Sequence, residues 1–176
     1  APDTSVPVLL DEKLVIQGSG EIIDYLDQVH PENPLTPADA SERQRCQEIE
    51  STMDKRLGVT IRQILYYSLL AHPEFIQYCF THSMPKLKQF IFRLIYPALR
   101  SKIYKTYVIS EARVNKAKRE FATAMNELEQ LLENNEYLVG EQFSRADLSV
   151  AAMLSLLVMP VEHPFPWIEI PDEKTQ

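Results

Sequence analysis

The side chains that could ligate, attack or titrate are few in this chain, and they are dispersed. His30, His72, His82 and His163 lie far apart, and Cys46 and Cys79 form no CxxC. No HExxH occurs either, so no metal ligand set is legible and none is expected. No GxSxG elbow presents a serine nucleophile, and no glycine-rich phosphate loop is present. What remains is a pair of hydroxyl-led motifs. Ser144-Arg145-Ala146-Asp147 sets a hydroxyl and a carboxylate three residues apart, ahead of the apolar run from Leu148 to Leu154. At that spacing the hydroxyl can accept a bond from the backbone N–H three residues on, while the acid bonds back to the first residue's own N–H. Phe143 can pack on Leu148 as a hydrophobic staple. Ser144 and Asp147 therefore read as a structural cap that fixes where a buried helix begins. Ser19, directly after Gly18, reads as the cap of an earlier helix.

The elements around these motifs follow from periodicity and punctuation. Val6, Val8, Leu9 and Leu10 make a short strand around Pro7, Asp11-Glu12-Lys13 a polar turn, and Leu14 to Ile16 a second strand, so the chain opens on a hairpin. Ile22, Ile23, Tyr25 and Leu26 give the helix after Ser19 one apolar side, and it ends near Val29. Pro31 to Pro37 is a linker. From Ala38 the period becomes 3.6. Cys46, Ile49, Met53, Leu57, Ile61, Ile64 and Leu65 define a long helix to about Ala71, stopped by His72-Pro73. Glu74 to His82 is a short helix. Leu87, Ile91, Leu94, Ile95 and Leu99 mark the next, which Pro97 is expected to kink or interrupt. Ser110 can cap another, with the stripe Val114, Ala117, Phe121, Met125, Leu128 and Leu132, ended by Asn134-Asn135. The helix that starts at Ser144 is stopped by Pro160, and an irregular tail follows. Both cysteines fall in apolar helical segments and read as buried thiols.

Charge narrows the partners. The chain of 176 residues carries a net charge of −7, which argues against general nucleic-acid binding. The mean hides an asymmetry: residues 86–119 hold ten Lys or Arg and only Glu111, a local +9 that leaves −16 elsewhere. That stretch, with Phe90, Phe92, Tyr96, Tyr104 and Tyr107, has two readings. One is a surface that attracts a charged second substrate, a membrane face or RNA. The other, favoured by the pattern, is a helix with its apolar side buried and its cations solvated. No apolar run reaches the roughly 18 residues a membrane-spanning helix needs. With no stretch that reads as a signal peptide and no disulfide framework, a cytoplasmic protein is expected.

In order and spacing, these motifs resemble the glutathione transferase family. Val6-Pro7-Val8-Leu9 is similar to the family's cis-proline segment, and Ser19-x-x-Ile22-x-x-Tyr25-Leu26 to its glutathione-binding serine and following helix. Phe143-Ser144-x-Ala146-Asp147-Leu148 is similar to its helical-domain capping motif. The resemblance implies a mostly α fold. A partial thioredoxin-like β-β-α segment over 1–29, half of a glutathione-binding domain, is followed by a linker over 30–37. An all-α glutathione-transferase-type C-terminal domain then spans 38–176.

It also implies a function: attack of the glutathione thiolate on an apolar electrophile, with glutathione as substrate and no metal. Glutathione would be held by Val6, Pro7, Gly18 and Ser19. Its backbone would pair with Val6 as an added strand, and its γ-glutamyl carboxylate would bond the Ser19 hydroxyl and N–H at a positive helix end. Ser19 as a plain cap without a ligand is the other reading. Tyr66 and Tyr67 could line the apolar electrophile pocket that the family builds between its domains; packing in a core or an interface is the favoured reading. The family usually has Glu or Gln directly before the serine, where this chain has Gly18, with Gln17 one earlier.

The family's first strand, helix and second strand, at least about 30 residues, have no counterpart before Ala1. That unit carries the Tyr, Ser or Cys that activates the sulfur, so no catalytic residue is assigned and a longer parent chain is expected. A non-enzymatic binding module of the same fold is the alternative. The family is commonly homodimeric, through its first domain.

Overall fold

A computed structural model describes residues 6–106, 110–158 and 160. The order is a β-hairpin followed by six helices: β1 (Val8–Asp11), β2 (Leu14–Gln17), α1 (Ser19–Val29), α2 (Ala40–Leu69), α3 (Pro73–Thr81), α4 (Lys86–Thr106), α5 (Glu111–Leu132) and α6 (Arg145–Val158). The fold is mostly helical, with a β-β-α segment built on a two-stranded antiparallel hairpin ahead of five further helices, as expected. The expected irregular tail, with His163, and Tyr107 lie outside the described residues, as does the side chain of Cys79. The chain divides into two compact units, Ala1–Asp54 with Glu127–Ala151, and Lys55–Asn126 with Ala152–Gln176.

In the first unit β1 and β2 pair antiparallel, with Val8 opposite Gln17 and Asp11 opposite Leu14. The two residues between them, Glu12 and Lys13, turn the chain, with Glu12 at φ +50°. α1 packs on this hairpin. The Tyr25 hydroxyl donates to the Asp11 carboxylate, tying the helix to the turn and raising the tyrosine pKa. Ile23, Cys46, Met53, Leu128, Leu138, Val139, Ala146 and Val150 are this unit's buried apolar side chains. The linker is fastened near its C-terminal end, at Leu35 and Thr36. The Asp27 carboxylate accepts the N–H groups of Leu35 (2.8 Å) and Thr36 (3.0 Å), and the Leu35 carbonyl accepts the N–H of Arg145 at 2.9 Å. Asp39, just before α2, accepts the N–H groups of Ser41 and Glu42 and the Ser41 hydroxyl, so a carboxylate meets the positive end of the helix.

In the second unit Leu57, Ile61, Leu70, Ile76, Tyr96, Val114, Ala117 and Ala124 are buried. Leu70, Ile76 and Tyr96 form a cluster to which Tyr66, Leu69, Phe92, Ile103 and Tyr104 add their flanks. The Arg100 Nε donates to the Leu70 carbonyl at 2.9 Å, so a cation closes the negative end of α2. Its guanidinium also lies over the Tyr104 ring, 5.2 Å from the centroid. Ser110 precedes α5, its Oγ accepting the N–H of Arg113 at 3.4 Å.

α4 runs through Pro97 without interruption. The expected packing of this helix is corrected. Its buried face is not the aliphatic stripe Leu87, Ile91, Leu94, Ile95 and Leu99, all of which are exposed. It is the aromatic face of Phe92, Tyr96 and Tyr104 with Ile103, which packs on Leu70 and Ile76. α4 carries apolar residues on two sides, and periodicity cannot tell which one packs.

Candidate functional site

The candidate glutathione-binding residues come together where β2 turns into α1. The Val6–Pro7 peptide bond is cis. The Gly18 N–H donates to the Pro7 carbonyl at 3.0 Å, extending the hairpin ladder by one rung and drawing Pro7 against the start of α1. The Gly18 carbonyl then accepts the N–H of Ile22 at 3.0 Å, the first bond of the helix. Gly18, not Ser19, is therefore the cap residue of α1, and Ser19 is the first residue inside the helix. The reason is conformational. The corner needs φ +107° at position 18, a backbone region that glycine takes without steric cost. The Ser19 side chain is left exposed in the first turn, with no capping bond to make.

The N–H groups of a first helical turn have no intrahelical partner and favour an anion. That preference is contested from within the same turn. The Glu21 carboxylate folds over Gly18, where a side chain at 18 would collide with it. A negative charge thus already stands at the positive end of α1.

The second motif is organised by Asp147. Asp147 Oδ2 accepts both the N–H of Ser144 (2.9 Å) and its hydroxyl (2.7 Å), and Oδ1 accepts the N–H of Leu138 at 2.8 Å. The acid reaches back as expected, but the Ser144 hydroxyl is used as a donor to the carboxylate. The carboxylate also gathers the approaching chain at Leu138, so it fixes both the start of α6 and the turn before it. In that turn Gly140 sits at φ +66° with the Glu42 carboxylate against it. Phe143 meets the Tyr137 ring edge-on at 6.4 Å.

Between Ser144 and Asp147 is a residue that sequence reading passed over. Arg145 is 4% exposed. Its Nε donates to Glu50 at 2.5 Å, its Nη1 to Asp24 and to the Thr36 hydroxyl (3.2 Å), and its Nη2 to the Gly20 carbonyl at 3.4 Å. Burial works against its charge, but the hydrogen bonds to Glu50 and Asp24 outweigh that, and its pKa is raised. Gly20 and Asp24 belong to the first turns of α1, so Arg145 positions the helix end beside Ser19. The one signal in the sequence was a cation set inside a capping motif ahead of an apolar helix.

Two family models match. The glutathione S-transferase C-terminal domain matches residues 84–166, and the glutathione S-transferase N-terminal domain matches residues 1–34. The chain belongs to the glutathione S-transferase family. No curated protein and no solved structure matches it. Pro7, Gly18 and Ser19 fall within the matched part of the N-terminal domain, and Ser144 to Asp147 within the C-terminal one. Tyr66 and Tyr67 fall in neither. Tyr66 packs beside the Leu70 cluster, and Tyr67 is 39% exposed. Among the described residues no group of three or more His, Cys, Asp or Glu could hold a metal ion.

Proposed function

We propose that this chain binds glutathione at the β2–α1 corner and serves glutathione conjugation to an apolar electrophile, as a cytoplasmic glutathione transferase does. The observation that carries the reading is the Gly18 N–H to Pro7 carbonyl bond, which brings a cis-proline beside a helix N-terminus with an exposed serine. Backbone groups of Val6 would pair with the cysteinyl portion of the tripeptide, and the first turn of α1 with its γ-glutamyl carboxylate, through Gly18 and Ser19. Tyr66 and Tyr67 would face the electrophile. The division into 1–29, 30–37 and 38–176, a homodimeric state and a role in detoxification belong to the same reading. The residue that activates the sulfur is not assigned to any position in this chain.

A second reading, a binding module of the same fold without turnover, draws support from the Glu21 carboxylate over Gly18, which opposes an incoming carboxylate. Retention on glutathione-agarose followed by a conjugation assay separates the two. Retention with turnover supports the transferase, and retention without turnover supports the module. No retention removes glutathione from both.

A further inference from the structure

α4 has a second apolar face, opposite the aromatic one that packs on α3. Leu87, Phe90, Ile91, Leu94 and Ile95 recur at the spacing of a 3.6-residue turn and share one side of the helix. All five are exposed, Leu87 by 71% and Leu94 by 65%. Single exposed aliphatic residues are ordinary on a protein surface, but a continuous stripe over more than two helical turns marks an interaction surface.

The charges around the stripe identify what it would meet. α4 contains six Lys or Arg and no Asp or Glu, within a chain of net charge −7. By helical spacing Lys88 borders one edge of the stripe and Lys86 and Arg93 the other, while Lys102 and Lys105 continue it toward the C-terminal end. All five are exposed. The partner must therefore be apolar and anionic at once.

We propose that this face of α4 docks on an anionic lipid bilayer, with the helix lying in the interface plane. The aliphatic stripe enters the boundary between headgroups and acyl chains, and the flanking cations meet the lipid phosphates and carboxylates. No described helix is long and apolar enough to cross a membrane, so the mode is surface-lying. A second copy of the chain is a poor occupant, because a two-fold contact would set two such cationic helices against each other. RNA would answer the lysines but leave the leucines and isoleucines without an apolar partner. The proposal is independent of glutathione binding.

The test is co-sedimentation of the whole chain with vesicles of pure phosphatidylcholine and of phosphatidylcholine mixed three to one with phosphatidylserine. Binding to the mixed vesicles alone is expected, weakening as salt rises. The variants Ile91→Ser/Leu94→Ser and Lys88→Glu/Lys102→Glu alter exposed side chains, and circular dichroism should show both folded. Each should lower the partition by about tenfold or more. Equal binding to both vesicles, no binding, or binding unaffected by Ile91→Ser/Leu94→Ser would overturn the proposal. So would retention on single-stranded RNA without vesicle binding, or a dimer in sedimentation equilibrium that Ile91→Ser/Leu94→Ser dissociates.

Discussion

Arg145 Nε lies 2.5 Å from Glu50 Oε2, a pair separated by 95 residues and buried at both ends. Because the same guanidinium reaches Asp24 and the Gly20 carbonyl, one cation joins the start of α6 to α2 and to the first turns of α1. The motif that specifies the helical fold thus also holds the corner where glutathione is proposed to bind. A buried ion pair contributes little net stability over a well-packed apolar pair, since both charges lose their water. Its members are nevertheless costly to remove singly.

That asymmetry gives the first prediction. Arg145→Ala leaves Glu50 buried and unpaired and should lower unfolding stability by about 3–5 kcal/mol. Arg145→Lys keeps the charge but not the planar fork, and should recover only part of the loss. The double change Arg145→Leu/Glu50→Leu should recover most of it. Urea unfolding midpoints at constant slope measure all three. A loss below about 1 kcal/mol for Arg145→Ala would place the pair in solvent.

The β2–α1 corner gives a second, with opposite signs at neighbouring positions. Ser19 is exposed and is not the cap, so Ser19→Ala should leave stability within about 0.5 kcal/mol. If the hydroxyl bonds a carboxylate of glutathione, the same change should weaken binding roughly tenfold. Glu21→Gln removes the competing charge and should tighten binding about threefold, more at low ionic strength. Titration calorimetry at two salt concentrations reads both. An affinity that Glu21→Gln leaves unchanged would put the anion elsewhere.

Much of this architecture was legible because it is written locally. The hairpin, the helices and the reach of Asp147 back to Ser144 depend on residues within a few positions of one another, which periodicity and capping patterns capture. Three features were not. The cap of α1 moved from Ser19 to Gly18 because leaving β2 demands a positive φ, a constraint set by where the next element must go. The packed side of α4 went to its aromatics because Leu70 and Ile76 offer a surface there, and a helix with two apolar sides does not announce which is used. Arg145 was passed over because its partners, Glu50, Asp24 and Gly20, are distant in sequence.

Tyr96 offers a prediction about a buried group. It is 3% exposed, and its hydroxyl has no hydrogen-bond partner among the described residues. Burial, the largest influence on it, raises the tyrosine pKa. A buried hydroxyl left unpaired costs about 1–3 kcal/mol, whereas the ring stays useful against Leu70, Ile76 and Phe92. Tyr96→Phe should therefore be neutral or stabilising, while Tyr96→Ala should cost about 3–5 kcal/mol by opening a cavity. Thermal unfolding of the two variants decides it. Clear destabilisation by Tyr96→Phe would show that the hydroxyl is bonded in solution.

Acid tests the capping of α2. The Ser41 hydroxyl, followed by the backbone N–H groups of Glu42 and Ser41, holds the Asp39 pKa below its ordinary value of 3.8. A carboxyl group whose pKa is depressed by folding binds its proton more readily in the unfolded chain. Its contribution is therefore fully present above the ordinary value and is lost as pH falls through the depressed one. Asp39→Ala should destabilise the chain at neutral pH, and the gap from the parent should narrow below about pH 4. Asp39→Asn keeps an acceptor without the charge, so it should fall between the two at neutral pH. Urea midpoints across that range measure the gap. If it keeps its size into acid, the charge of Asp39 contributes nothing, and the turn geometry alone accounts for the cap.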